Sequence, residues 1–329
     1  MKVCIFGAGA VGGFLGERLA HSGCAVSAVA RGATVAALRR HGFRVQGADA
    51  LTSAPVTVAE EPADLGAQDL VIVAVKGPAL AGVAARIAPL LRPDTMVLTA
   101  MNGVPWWFFN GFGGKFSGTR LQSIDPEGAI AAAIPDRQVI GCVLHLSCSL
   151  PEPGLTRHLF GNQLIIGEPA GGGSGRATPR VEALANVLGR AGFAATVSAS
   201  IQSDIWYKLW GNMTMNPVSA LTGATSDRIL DDPLVQRFCL AVMAEAATIG
   251  TAIGCPIAQS GEDRIAVARK LGAFKTSMLQ DVEAGKPVEL DALVTVVREI
   301  GARAGIATPG IDALLGLARL QARTRGLYP

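Results

Sequence analysis

The chain has 329 residues, half of them hydrophobic: length for about two domains of ~150 residues and enough apolar mass for a sizeable core, so intrinsic disorder is excluded. Only 17% of residues are charged and mean hydropathy is positive, so a membrane protein has to be weighed. The weakly polar run Val3–Gly16 falls short of the ~18 apolar residues a spanning helix needs. Lysine and arginine total 29 against 26 acidic residues, a formal +3, which leaves no global basic field for nucleic acid or a membrane surface.

Lys2 ahead of that run could imitate a signal peptide, but Gly7, Gly9, Gly12 and Gly13 interrupt it, so a soluble, cytoplasmic protein is expected. Six cysteines are scattered without a CxxC pair, which fits reduced thiols rather than a disulfide framework. His21, His41, His145 and His158 show no metal-ligand spacing, and no metal site is expected.

In chain order, Lys2–Phe6 reads as a buried strand. A helix over 10–21 follows, with Val11, Phe14, Leu15 and Leu19 on one stripe and Gly23 at its C-terminal cap. Ala25–Ala30 is a second strand and Thr34–Arg40 a short helix. The apolar run Leu70–Val75 reads as a strand covered on both faces, followed by a helix near 79–91 and a strand at Thr95–Thr99. Such alternation predicts crossover units and a parallel sheet. Residues 139–146, 155–160 and 163–168 read as further strands, separated by turns at Pro151–Gly154 and Gly161–Asn162. Residues 168–180 read as a flexible loop. Helical periodicity then covers 180–191, 201–215, 230–252, 261–275 and 288–304. The predicted organisation is α/β: a Rossmann-type dinucleotide-binding domain over 1–198 and an all-α domain over 199–329 that carries substrate and catalysis.

Gly7-Ala8-Gly9-Ala10-Val11-Gly12 is a GxGxxG between a strand and an amphipathic helix. One glycine permits the tight turn, the next lets backbone approach a pyrophosphate, and the third lets helix pack on strand, while the helix N-terminus offers N–H groups to the anion. A structural glycine turn and a methyltransferase loop are the alternatives. An NAD site wants an acid about 20 residues on, yet none lies between Arg18 and Ala48. Arg31 ends the second strand instead, and a guanidinium there suits a 2′-phosphate, so NADP(H) is read over NAD(H). A solvated surface arginine is the plainer alternative. Lys76, directly after the third strand, can reach cofactor phosphate or ribose, or be an ordinary loop lysine. Asn102-Gly103, after the fourth, can present an amide near the nicotinamide, or be a common turn dipeptide.

In the second half, Lys208, Asn212 and Asn216 are spaced four and four, so they share one helix face amid Trp206, Leu209, Trp210 and Met213. Pro217 predicts a kink or stop just beyond. One cation and two amides suit a ligand with carbonyl, hydroxyl and carboxylate, and a solvated face is the alternative. Glu289, two residues after Pro287, fits the first turn of a helix as a dipole-stabilising acid.

Taken in order, KVCIFGAGAVGG at 2–13, the Val-x-Arg-Gly around Arg31, AVKG at 74–77, MNGV at 101–104, W-x-K-L-x-x-N-x-x-x-N-P-x-x-A-L at 206–221 and SMLQD…VELD at 277–291 resemble the ketopantoate reductase (2-dehydropantoate 2-reductase) family. The resemblance implies a Rossmann domain joined to a helical domain like that of 6-phosphogluconate dehydrogenase. It also implies NADPH-dependent reduction of 2-dehydropantoate to (R)-pantoate, on the route to pantothenate and coenzyme A. It makes Lys208 the general acid. Asn212, Asn216 and Ser277 would hold the substrate's hydroxyl and carboxylate, and Asn102 would lie between substrate and nicotinamide. Glu289 would contact the cofactor side. The partner is a small 2-keto acid, with no nucleic acid or membrane, and the assembly is a single chain or a homodimer.

Two departures concern the substrate. After Asn102-Gly103 comes PWWFFNGFGGKF (105–116), which reads either as packing or a subunit contact, or as a lid or pocket wall that reshapes substrate choice. Ser226 takes the place, after the Asn-Pro, where a substrate-contacting asparagine is expected. Two alternatives follow: a reductase of another bulky 2-keto acid, and a non-catalytic NADP(H) sensor. A sensor would have no use for Lys208, Asn212, Asn216 and Glu289 together.

Overall fold

The computed structural model describes residues 1–169 and 177–329, so most of the loop expected at 168–180 lies outside the described residues. The chain divides into two compact units. One comprises Met1–Asn102 with Gly128–Asp204, the other Gly103–Glu127 with Ile205–Pro329.

The first unit holds one ten-stranded sheet. Its strands are β1 (Lys2–Phe6), β2 (Ala25–Val29), β3 (Phe43–Gln46), β4 (Leu51–Ala54), β5 (Thr57–Ala59), β6 (Leu70–Val73), β7 (Met96–Thr99), β8 (Val139–Glu152), β9 (Leu155–Gly167) and β10 (Ala194–Val197). Their order is β4-β3-β9-β8-β7-β6-β1-β2-β5, with β10 also paired to β9. The β5-β2-β1-β6-β7-β8 portion is parallel throughout, as the alternating pattern predicts. Val3, Cys4, Ile5, Leu70, Val71, Ile72, Val97 and Leu98 are fully buried, so the central strands are covered on both faces. Helix α1 (Ala10–His21) turns Phe14, Leu15 and Leu19 inward, and α2 (Ala33–His41) buries Val35 and Leu38.

The structure departs from three local expectations. The helix expected at 79–91 shortens to α3 (Leu80–Ala84), flanked by 3-10 turns at Gly77–Ala79 and Ala88–Leu90, because Pro78 and Pro89 have no N–H to give. β8 and β9 form a long antiparallel hairpin at the side of a sheet expected to be parallel. No turn occurs at Gly161–Asn162: the strand runs on through Gly161 (φ +76°), with the register shift of a bulge opposite His145–Ser147. A Cβ on Gly161 would strike the His145 carbonyl and come within 3.0 Å of Leu146 Cα. Strands β3, β4, β5 and β10 were not anticipated. Short α4 (Ala129–Ala133) and α5 (Pro179–Arg190) complete the elements of this unit, save for the start of the helix that leads out of it.

That helix, α6, spans Ile201–Thr222 and passes straight through Pro217 rather than stopping there. Helices α7 (Ser226–Asp231) and α8 (Pro233–Ala252) replace the single helix expected at 230–252. Asp232 divides them, its carboxylate accepting from Leu234 N at 2.9 Å and Val235 N at 3.0 Å as the cap of α8. The run expected at 261–275 is α9 (Gly261–Arg269), capped by Ser260, followed by α10 (Ser277–Glu283), capped by Thr276. That expected at 288–304 begins as a π turn over Asp291–Thr295 and continues as α11 (Val296–Ala304). Helix α12 (Pro309–Thr324) was not foreseen.

Among the described residues, α8 rather than Val3–Gly16 is the helix long and apolar enough to cross a membrane by length and composition, with a mean hydropathy of 1.2. One face of it packs into the helical unit. Cys239, Val242, Met243, Ala246, Ile249 and Gly250 are buried, and its Glu245 carboxylate accepts the N–H groups of Gly310 and Ile311 at the start of α12, at 2.8 and 2.9 Å.

The aromatic segment belongs to this helical unit rather than to a domain spanning 1–198. Trp107, Phe108 and Phe109 are fully buried. Phe108 meets Phe109 edge-on at 5.2 Å and packs on Trp206 of α6 at 6.1 Å, while Phe109 lies 5.9 Å from Phe116. These rings are core packing, not a pocket wall.

Candidate active site

In the first unit the candidate cofactor residues share one edge of the sheet. Phe6 at the end of β1 is in register with Val29 at the end of β2 and with Val73 at the end of β6, and Val73 with Thr99 at the end of β7. Gly7–Gly12, Arg31, Lys76 and Asn102 therefore begin one to three residues beyond four aligned carboxyl ends. The chain leaves β1 for β2 on one side and later returns to place β6 on the other, so this is the switch point where open α/β sheets bind ligands.

The glycine loop has the shape a pyrophosphate requires. Gly9 is the N-cap of α1 and offers no side chain to the helix N–H groups, and a Cβ placed on it would stand in open space. The turn beneath is closed: a Cβ on Gly12 would strike the Gly7 carbonyl and press to 2.9 Å on Ile5. Thr156 of β9, which no motif signalled, braces the loop by donating to the Ala10 carbonyl at 3.2 Å. Arg31 is exposed between β2 and Gly32 (φ +55°), the N-cap of α2. Lys76 is half-buried at the start of the 3-10 turn after β6. Ala8, Ala10 and Val11 line the same loop.

In the helical unit, Tyr207, Lys208, Gly211, Asn212 and Met215 form the partly exposed stripe of α6, while Trp206, Leu209, Trp210 and Met213 are buried behind it. The indoles of Trp206 and Trp210 donate to the carbonyls of Ala246 and Met243 on α8, at 3.3 and 2.7 Å, which fixes the rotation of α6. That rotation presents Lys208 and Asn212. Asn216, one turn further, is only 5% exposed, and its Nδ2 reaches Ser277 Oγ at 3.4 Å. Two residues distant in sequence thus come together.

Ser226 does not join them on the open face. It is 3% exposed at the start of α7, and its hydroxyl donates to the Phe274 carbonyl at 3.1 Å while its N–H donates to the same oxygen at 2.9 Å. It braces the strand of chain leading to Ser277. Glu289 is half-buried just before the π turn, where Val288 N donates to Leu327 O at 3.1 Å and Tyr328 donates to Asp291 at 2.6 Å. The C-terminal residues thus hold the Glu289 segment from both sides. Sequence reading missed this, since nothing in the sequence marks a terminal tyrosine as a partner of Asp291. Burial, and then the bond to Asp291, pushes the Tyr328 phenol up to about 12.

The family described as "Ketopantoate reductase PanE/ApbA" matches residues 3–171, and its C-terminal counterpart matches residues 200–322. A 2-dehydropantoate 2-reductase of Mesorhizobium japonicum is 44% identical over 329 residues, covering the whole of both chains. One of Halobacterium salinarum is 28% identical, over 98% of this chain and 99% of that one. Among solved structures, a candidate ketopantoate reductase of Ralstonia solanacearum MolK2 superposes with a TM-score of 0.95 at 60% identity, covering 99% of each chain. By two matches that together span nearly all its length, the chain belongs to the ketopantoate reductase family.

Proposed function

We propose that the protein reduces 2-dehydropantoate to (R)-pantoate with NADPH, in the cytoplasm, as a step toward pantothenate and coenzyme A. The observation that carries this reading is the helical face itself. A lysine and two asparagines are set on one side of α6 by buried tryptophans, with Ser277 brought to Asn216, in a chain 44% identical to a 2-dehydropantoate 2-reductase.

The chemistry follows from those groups. Bound NADPH supplies the hydride. The bare Gly9 and the N-terminus of α1 would hold the pyrophosphate, with Arg31 on the 2′-phosphate, Lys76 on phosphate or ribose, and Asn102 beside the nicotinamide. Lys208 gives a proton from Nζ to the ketone oxygen as negative charge develops there. That interaction strengthens only toward the transition state and is the kind that raises kcat. Asn212, Asn216 and Ser277 orient the hydroxyl and carboxylate, and Glu289 contacts the cofactor side. The aromatic rings that would have reshaped the pocket for a bulkier keto acid are spent on packing, which supports 2-dehydropantoate over another substrate.

The test is NADPH oxidation by purified protein against a panel of 2-keto acids including 2-dehydropantoate, with NADH as control. The highest kcat/KM for 2-dehydropantoate with NADPH is expected. A different preferred keto acid, or no turnover, overturns the reading.

A further inference from the structure

We propose that Arg264 recognises the carboxylate of the 2-keto acid. The proposal rests on the reading of Lys208 as the acid of such a reductase, and it starts from where fixed charge sits in that reading. The substrate arrives with one negative charge. As hydride forms the new C–H bond and the carbonyl π pair moves to oxygen, Lys208 transfers its proton to that oxygen and becomes a neutral amine. Asn212, Asn216 and Ser277 carry no charge and Lys208 gives its own up, so none of these four groups is a counter-charge that stays with the carboxylate through the reaction. A guanidinium keeps its charge throughout and presents a planar fork that fits a carboxylate.

Arg264, on α9, is placed for this. Its Cζ lies 5.3 Å from the centre of the Tyr207 ring, and that ring is fixed by its hydroxyl, which donates to Gln259 Oε1 at 2.6 Å. The guanidinium lies flat on α6 in the space left by Gly211. A Cβ there would sit 2.9 Å from Nη2, 3.2 Å from Nε and 3.3 Å from Cζ. Gly211 adjoins Asn212 and follows Lys208 by three residues, a spacing at which helix side chains are neighbours. The cation therefore rests within a turn of the Lys208–Asn212 face.

It is also unspent. Arg269, Arg298 and Arg303 of the same unit each pair with a carboxylate, on Asp231, Asp312 and Glu299. Arg264 has no acidic partner among the described residues, and its buried Nε has no acceptor. The Tyr207 ring lies over the guanidinium, and the two Nη groups, which are not buried, are left for an anion.

The test compares Arg264→Met and Arg264→Lys with wild type, using NADPH and two forms of the preferred 2-keto acid: the free acid and its neutral methyl ester. For Arg264→Met, KM for the acid should rise about 10- to 100-fold, with kcat/KM for the ester within about threefold of wild type and NADPH affinity within about twofold. Arg264→Lys should recover part of the acid preference. Equal losses on acid and ester, no change on the acid, or a loss confined to NADPH would each overturn the proposal, the last by assigning the arginine to cofactor phosphate. Should Arg264→Met fail to fold, Gly211→Ala displaces the guanidinium and must give the same acid-selective loss. If wild type reduces no 2-keto acid, the proposed function fails by itself. Calorimetric binding of pantoate to the NADP⁺-loaded protein then reads the arginine directly, and equal affinity in wild type and Arg264→Met counts against it.

Discussion

Glu299 of α11 grips Ser123 twice: one carboxylate oxygen accepts the Ser123 N–H at 2.8 Å and its hydroxyl at 2.7 Å. The other oxygen takes the Gln122 N–H at 2.8 Å and Arg303 at 2.9 Å. The returning arm of the 103–127 segment is thereby pinned to the helices. Burial alone would raise the Glu299 carboxyl, but the Ser123 hydroxyl, the two N–H groups and Arg303 together hold it below the usual carboxylate range. A depressed folded pKa gives stabilisation that is complete above the ordinary value of 4.5 and is lost as pH falls through the folded value. Glu299→Gln should therefore cost about 1–3 kcal/mol at neutral pH. Its melting temperature should also fall less steeply than that of wild type below pH 4.5. Parallel melting curves across that range would remove Glu299 from the acid response.

Gly103 and Ala292 make the next contact of that segment. Val104 N donates to Ala292 O at 2.9 Å, and Gly103 sits at φ +83° directly against the π turn. A Cβ there would strike the Ala292 carbonyl oxygen and lie 2.7 Å from its carbon and 2.8 Å from its Cβ. Gly103→Ala adds about 1–3 kcal/mol of backbone strain to that clash. A clear drop in melting temperature is expected, with a fall in kcat because Asn102 is the adjoining residue. An unchanged melting curve would mean the turn relaxes at no cost.

What was legible in the sequence is what depends on local pattern. β1, α1 and the glycine loop were readable because backbone geometry at a phosphate loop dictates residue type, and Lys208, Asn212 and Asn216 because helical spacing alone puts them on one face. Ser277 meeting Asn216 needed a tertiary contact, and was reached only through the family resemblance. Ser226 was misplaced for the same reason: sequence cannot show that its hydroxyl is occupied by the Phe274 carbonyl. The run at 79–91 looked helical by apolar periodicity, and two prolines decided otherwise. Gly161 looked like a turn because a bulge glycine and a turn glycine share the same positive φ.

The aromatic segment shows composition suggesting function where packing is the cause. Trp107 is fully buried, so Trp107→Ala should destabilise the protein by about 3–5 kcal/mol. The milder Trp107→Phe should lower the melting temperature while leaving the ranking of 2-keto acids unchanged. A changed ranking with an unchanged melting temperature would return the segment to the substrate pocket.

Arg31 lies just past β2, beside the glycine loop at the aligned strand ends. A surface guanidinium that contacts only the 2′-phosphate has nothing to hold on NADH. Arg31→Ala should thus raise the NADPH dissociation constant about 10-fold or more and leave the weaker NADH affinity nearly unchanged. Equal losses for the two cofactors would indicate that the arginine shapes the loop instead.

Lys208 carries the sharpest prediction, because its proposed role separates binding from chemistry. If its ammonium donates the proton, removing it deprives the transition state of an interaction the ground state barely uses, so kcat and kcat/KM should fall together. The expected loss for Lys208→Ala is about 10²–10⁴ in kcat, with NADPH affinity largely intact because the proposed phosphate contacts, the glycine loop, Arg31 and Lys76, belong to the other unit. Lys208→Arg should rescue little, since a guanidinium keeps charge near the oxygen but yields its proton poorly. Stopped-flow measurement of hydride transfer in a single turnover distinguishes this from slow product release. A single-turnover rate within about threefold of wild type would take the proton from another group and leave Lys208 as a charge on the face of α6.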